Sequence, residues 1–157
     1  MSDIRNQAIA GLKPGDAFTV SRTFTEQETL AFAEISRDYN PVHCDQRFAE
    51  AKNFRGRICH GLLVASILTE IGGQIGWLAS GMTFRFKKPV YFDDTITCEF
   101  TITELDDRNR ATAEVVFTNQ QAEIVLEAQL TGILPGGPEK RVMEAMVAEG
   151  DPTNKWR

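Results

Sequence analysis

Asp38, Asn40 and His43 fall within six residues of one another, with Pro41 between them. Aspartate can orient or deprotonate a water, and histidine moves a proton near neutral pH. Such groups work only when held in place, and Pro41 stiffens the turn that carries them. The same residue types also build ordinary helix ends, so composition alone leaves a purely structural reading open. A second candidate is Gly61, which starts an apolar stretch running to Gly76. The first amides of a helix have no partner inside it. A substrate oxygen gaining negative charge could sit there, and glycine permits its close approach. Relief of crowding at a buried helix start is the bland alternative. Ser66, further along, either hydrogen-bonds a helix carbonyl or faces a pocket. The only two histidines of the chain, His43 and His60, lie just upstream of this stretch.

The elements that must position these residues follow from periodicity. Leu62, Leu63, Ile67, Ile71 and Ile75 recur at helical spacing, which predicts one buried helix of about four turns. Ahead of it, Ala17 to Phe24 reads as a strand. Thr25 and Glu28 form a capping box for a helix that stops before Pro41. Asp45 caps a shorter helix through Ala51, and a basic loop carrying Arg55 and Arg57 delivers His60. Past Gly81 the period switches to two, over Met82–Phe86, Thr95–Thr103, Ala111–Thr118 and Ile124–Leu130. The sum is an α+β fold, with a twisted antiparallel sheet wrapped around one long central helix. Such a sheet leaves edges, which a second copy of the chain would complete. Residues 1–134 form the expected domain. Residues 135–157 form a tail with room for a short helix over Glu139 to Ala148 and a frayed end from Asp151 to Arg157.

The charge sum of 17 basic against 22 acidic residues, net −5, argues against a general nucleic-acid binder. Ser66, Thr69 and Glu70 make the central stretch too polar for a membrane span, and no secretory leader is visible. Three sparse cysteines, Cys44, Cys59 and Cys98, fit free thiols and a cytoplasmic setting. A zinc site on His43, Cys44, Cys59 and His60 lacks the usual two-residue spacers, so no metal is expected.

The run Asp38-Tyr39-Asn40-Pro41-Val42-His43-Cys44-Asp45 resembles the hydratase motif of the MaoC-like dehydratase family, which includes (R)-specific enoyl-CoA hydratases. The runs from Phe54 to Ser66 and from Phe84 to Ile96 resemble its second and third blocks, in the family's order, so that the likeness covers about residues 10–133. The resemblance implies a hot-dog fold, a homodimer and an enoyl-CoA thioester substrate in a tunnel near the subunit interface. It implies Asp38 and His43 as the catalytic pair, Asn40 as a residue holding the site, Gly61 as the amide meeting the thioester carbonyl and Ser66 as a pocket residue. The implied reaction is reversible syn hydration of a trans-2-enoyl thioester to an (R)-3-hydroxyacyl thioester. Asp38 takes a proton from the water that attacks Cβ, and His43 shares that water and delivers a proton to Cα. No cofactor is needed beyond the coenzyme A of the substrate, whose phosphates Arg55, Arg57, Arg85, Lys87 and Lys88 could meet. A thioesterase on the same fold and a non-catalytic acyl-thioester-binding subunit are the alternatives. The link from Trp77 to Met82 is shorter than in many members, and the tail beyond Pro138 is an addition.

Overall fold

Alternation at every second residue becomes a sheet with one buried face. The computed structural model describes residues 3–154. In chain order the elements are α1 (Asp3–Ala10), β1 (Ala17–Thr23), α2 (Glu26–Ser36), α3 (Pro41–Cys44), α4 (Gln46–Ala51), α5 (Gly61–Ala65) and α6 (Ile67–Ile75). β2 (Leu78–Phe86), β3 (Thr95–Leu105), β4 (Arg110–Thr118), β5 (Ile124–Ile133) and α7 (Gly137–Ala148) follow. The five strands form one antiparallel sheet in the order β1-β3-β4-β5-β2. Phe18, Phe100, Val115, Ala128 and Phe84 face one another in register across all five strands. Ile67, Ile71 and Ile75 of α6 are fully buried in the same core, and Trp77 meets Phe100 edge-on at 5.5 Å. Burial of each such side chain contributes about 1.5–3 kcal/mol.

This α+β arrangement of an antiparallel sheet with several helices is consistent with the hot-dog superfamily. A single long helix inside a strongly curled sheet is not what forms. The helical stretch is divided at Ser66, whose Oγ–H donates to the Leu63 carbonyl at 2.6 Å. The Ser66 amide is shared between Leu62 and Leu63, and the Thr69 amide reaches back only to Ser66 at 2.9 Å. Serine back-bonding and three-residue hydrogen bonds tighten that turn. Leu62, expected on the buried face, is 58% exposed. Gly76 ends α6 at φ +73, and a Cβ there would stand 2.6 Å from Pro135. A left-handed cap held against a proline favours glycine.

The helix expected over Glu139 to Ala148 forms within α7, whereas the frayed end expected from Asp151 is not what forms there. Residues near the N-terminus form α1, and Arg5 is buried against the C-terminal turn of α6. Its guanidinium donates to the carbonyls of Gly73 at 3.1 Å and Gln74 at 3.3 Å. It also pairs with Asp151, which is buried rather than frayed. A cation over orphan helix carbonyls is favourable, and the acidic partner compensates its burial. Residues 155–157 of the expected frayed end lie outside the described residues. β2 begins at Leu78, so most of the short link is strand. Almost all of β2 is exposed, with Leu78 at 70% and Phe86 at 56%. Among the described residues no helix is long and apolar enough to cross a membrane.

Candidate active site

The site is built on the irregular segment between α2 and α4. α2 ends at Arg37 in the left-handed conformation. Asn40 then caps α3, its Oδ1 accepting from the Val42 amide at 3.1 Å, with Pro41 in the first turn. That cap fixes the direction of the turn bearing His43. The segment before α5 lies alongside, since the Ile58 amide donates to the Val42 carbonyl at 3.3 Å and the Cys59 amide to Val90 at 2.8 Å. The Ile58 carbonyl therefore meets His43 Nδ1 at 2.8 Å. A carbonyl only accepts, so Nδ1 carries the proton and the neutral ring has its lone pair on Nε2.

His43 Nε2 lies 3.9 Å from Asp38 Oδ2. A water at about 2.8 Å from both would bridge them, donating one hydrogen to each. His43 is 7% exposed, whereas half of the Asp38 side chain is open to solvent. Burial, the largest influence, holds the His43 imidazole below its ordinary value; the Ile58 carbonyl opposes this, His60 adds to it, and the Asp38 carboxylate opposes it.

Asp38, His43, His60 and Gly61 line one cavity of about 530 Å³ whose walls are otherwise largely apolar, among them Phe32, Val64, Phe86 and Leu126. α5 begins at Gly61 with no side-chain cap from His60. The space beside Gly61 is taken by an aromatic ring: a Cβ there would stand 2.5 Å from Phe86 Cε1. The packing reason for this glycine therefore exists alongside any chemical one. Two carboxylate- and imidazole-bearing walls and an uncapped helix start, in an apolar cleft, can activate a water and stabilise charge on a bound carbonyl.

Residues 11–125 match the model of the MaoC like domain. The chain belongs to this MaoC-like family. Over 129 residues it is 33% identical to the (R)-specific enoyl-CoA hydratase of Aeromonas caviae, spanning 79% of this chain and 96% of that protein. It is 31% identical over 130 residues to a mitochondrial 3-hydroxyacyl-[acyl-carrier-protein] dehydratase of Arabidopsis thaliana, spanning 79% and 78% of the two. The solved (R)-hydratase from A. caviae involved in PHA biosynthesis superposes with a TM-score of 0.75 at 32% identity, covering 80% of this chain and 98% of that one.

Within this MaoC-like chain the remaining sequence candidates divide. Lys87 and Lys88 line the cavity, though each also pairs with an acid, Glu127 at 3.3 Å and Glu123 at 2.6 Å. Arg55, Arg57 and Arg85 are not among its lining residues. Arg55 stacks on Tyr91 at 3.9 Å, Arg57 pairs with Glu26 beside Phe92, and Arg85 is exposed on β2. Ser66 also lies outside the cavity lining, with its hydroxyl spent on the helix. Asn40 lies outside the cavity lining and caps α3.

Among the described residues the one group of three side chains close enough to share a metal ion is Asp38, His43 and His60; Cys44 and Cys59 are not part of it. The donor set is ill-suited, because His60 uses Nε2, the nitrogen it turns toward the Asp38 carboxylate, to donate to the Asp38 main-chain carbonyl at 2.9 Å, which leaves no lone pair there for an ion. Burial pushes the Cys59 thiol up to about 11, so it stays protonated in the core. Sequence reasoning singled out the position of His60 without giving it a role. The available signal was a second histidine immediately before Gly61.

Proposed function

We propose that this protein catalyses reversible syn addition of water to a trans-2-enoyl-CoA, giving the (R)-3-hydroxyacyl-CoA. The supporting observation is the pair of proton acceptors, Asp38 Oδ2 and His43 Nε2, 3.9 Å apart in a cavity shared with Gly61. Relatives named (R)-specific enoyl-CoA hydratase support the substrate and the hand of the product.

The thioester carbonyl oxygen accepts from the Gly61 amide, which draws electron density from Cβ. A water hydrogen-bonded to Asp38 and His43 attacks Cβ. The reading from sequence has Asp38 take the water's proton and His43 deliver one to Cα. A neutral His43 can deliver only a proton it has received. We therefore route the transfer through the shared water: Asp38 holds one O–H and raises the nucleophilicity of the oxygen, and the other proton passes to His43 Nε2. The Cβ–O bond forms as the Cα=Cβ pair moves toward the carbonyl. The enolate then takes the proton from His43, on the same face, restoring the neutral imidazole. The Asp38 carboxylate stabilises the transient imidazolium. The conjugated carbonyl is the electron sink.

The exposed apolar side chains of the edge strand β2, Met82 and Phe86 opposite Leu130 and Leu126 of β5 and Leu78 opposite Ile133, support a homodimer formed along this edge. Sedimentation at micromolar concentration tests it. Three free cysteines support a reducing, cytoplasmic setting. The enzyme assay follows crotonyl-CoA by loss of enoyl absorbance, with product hand read by chiral analysis. Loss of absorbance without thiol release supports the hydratase. Thiol release from saturated acyl-CoA would make it a thioesterase, and binding without turnover would make it a carrier subunit.

A further inference from the structure

His60 stands as close to the Asp38 carboxylate as His43 does, at 4.0 Å against 3.9 Å. Distance does not separate their roles, but their hydrogen bonds do. His60 Nε2 meets the Asp38 main-chain carbonyl at 2.9 Å, so that nitrogen carries the hydrogen and donates it. Its other nitrogen, Nδ1, is buried with no partner. A proton there would be a buried donor lacking an acceptor. The ring is 1% exposed and held between two others, the Phe32 ring at 5.1 Å and the His43 ring at 3.8 Å with planes 29° apart. His60 also occupies the cap position of α5, where Ser, Thr, Asp or Asn would bond the first amides, yet it makes no side-chain cap bond. A residue that breaks a local rule while its side chain is engaged elsewhere points to a functional constraint.

We propose that His60 is a positioning residue for the Asp38–His43 pair, holding the Asp38 main chain through Nε2–H and fixing the plane of the His43 imidazole with its ring face. The assignment rests on the hydratase reading above. Asp38 lies in a loop between helices, where the carbonyl bond from His60 ties its backbone to the start of α5. His43 is anchored at Nδ1 by Ile58 and is free to pivot about that bond. The stacked His60 ring removes the pivot, so Nε2 stays aimed at the water shared with Asp38. It also covers one face of His43 from solvent. The titratable groups bearing on His43 are Asp38 from the turn after α2 and His60 from the start of α5; Lys87 and Lys88, after β2, line the same cavity.

Two variants separate the two contacts. His60→Gln keeps an N–H for the Asp38 carbonyl and loses the ring; His60→Phe keeps the ring and loses the donor. His60→Phe is expected to lower kcat by about 10- to 100-fold with KM little changed, because the acceptor pair is loosened while the cavity is kept. His60→Gln is expected to move the acid limb of the pH profile upward, because His43 regains solvent. Nitrogen-15 spectra of the wild type should show His60 as the Nε2–H tautomer, and those of His60→Gln should show the His43 midpoint shifted upward. Wild-type kcat and pH profile in both variants would overturn the proposal, as would an Nδ1–H tautomer at His60 in the wild type. Absence of turnover in the wild type would instead sink the hydratase reading, and the spectra would still decide the positioning.

Discussion

Gly61→Ala separates the two reasons for a glycine at the start of α5. The added methyl would stand 2.5 Å from Phe86 Cε1 and 2.9 Å from Cδ1. Carbon atoms in contact prefer about 3.5–4.0 Å, so the ring must retreat by about 1 Å or more. Phe86 ends an edge strand and is 56% exposed in the single chain, so it has somewhere to go wherever a partner subunit does not cover it. The stability cost should therefore sit at the low end of overpacking, about 1 kcal/mol. The activity cost should be larger. A displaced ring and a methyl beside the amide both keep the thioester carbonyl from the Gly61 N–H. Loss of one such donor costs about 10²–10³ in rate, or about 2.7–4 kcal/mol. Thermal melting and kcat/KM on crotonyl-CoA, measured on the same preparation, read both terms. Gly61→Ala/Phe86→Ala then assigns the loss: recovery means the ring blocked the site, and no recovery means the methyl did. A folded Gly61→Ala protein with kcat/KM within about twofold of wild type would refute the amide's role altogether.

Asp38→Asn and His43→Ala should each lower kcat by about 10²–10⁴-fold while melting close to wild type; equal turnover in all three proteins would reject the assigned pair. Because burial lowers the His43 value, kcat/KM should stay level as pH falls to about 6.5 and decline only below it. The same shift sets a stability window. The unfolded chain takes up the His43 proton first, so this contribution is intact above about pH 6.5 and is lost between there and the lower folded value, as denaturant titrations across pH would show. Arg5→Ala, which removes the side-chain donor from the carbonyls of Gly73 and Gln74 and from Asp151 Oδ2 while Thr153 stays on Oδ1, should lower the melting midpoint and speed proteolysis near Asp151. Phe100→Ala, at the centre of the sheet, should cost about 3–5 kcal/mol in chemical denaturation.

Much of the local architecture was legible because its causes lie within a few residues. The capping box is present as Thr25 and Glu28 reciprocally bonded, and Asp45 caps α4. The alternation in β3, β4 and β5 reports burial directly, since adjacent side chains in a strand must point to opposite faces. Asp38 and His43 were candidates because a proline-stiffened turn holds both within one short segment. What only tertiary structure decided involves partners distant in the chain. Ile58 sets the tautomer of His43 from fifteen residues away, and His60 reaches the Asp38 carbonyl across twenty-two. Arg5 meets Asp151 across a separation of 146, so neither end of the chain announced its anchor. The strand order, the division of the helix at Ser66 and the seat of Phe86 on Gly61 belong to the same class. Residue types and spacings encode which conformations are locally favourable. Which groups share a wall of the cavity depends on how the whole chain packs, and no local pattern carries that information.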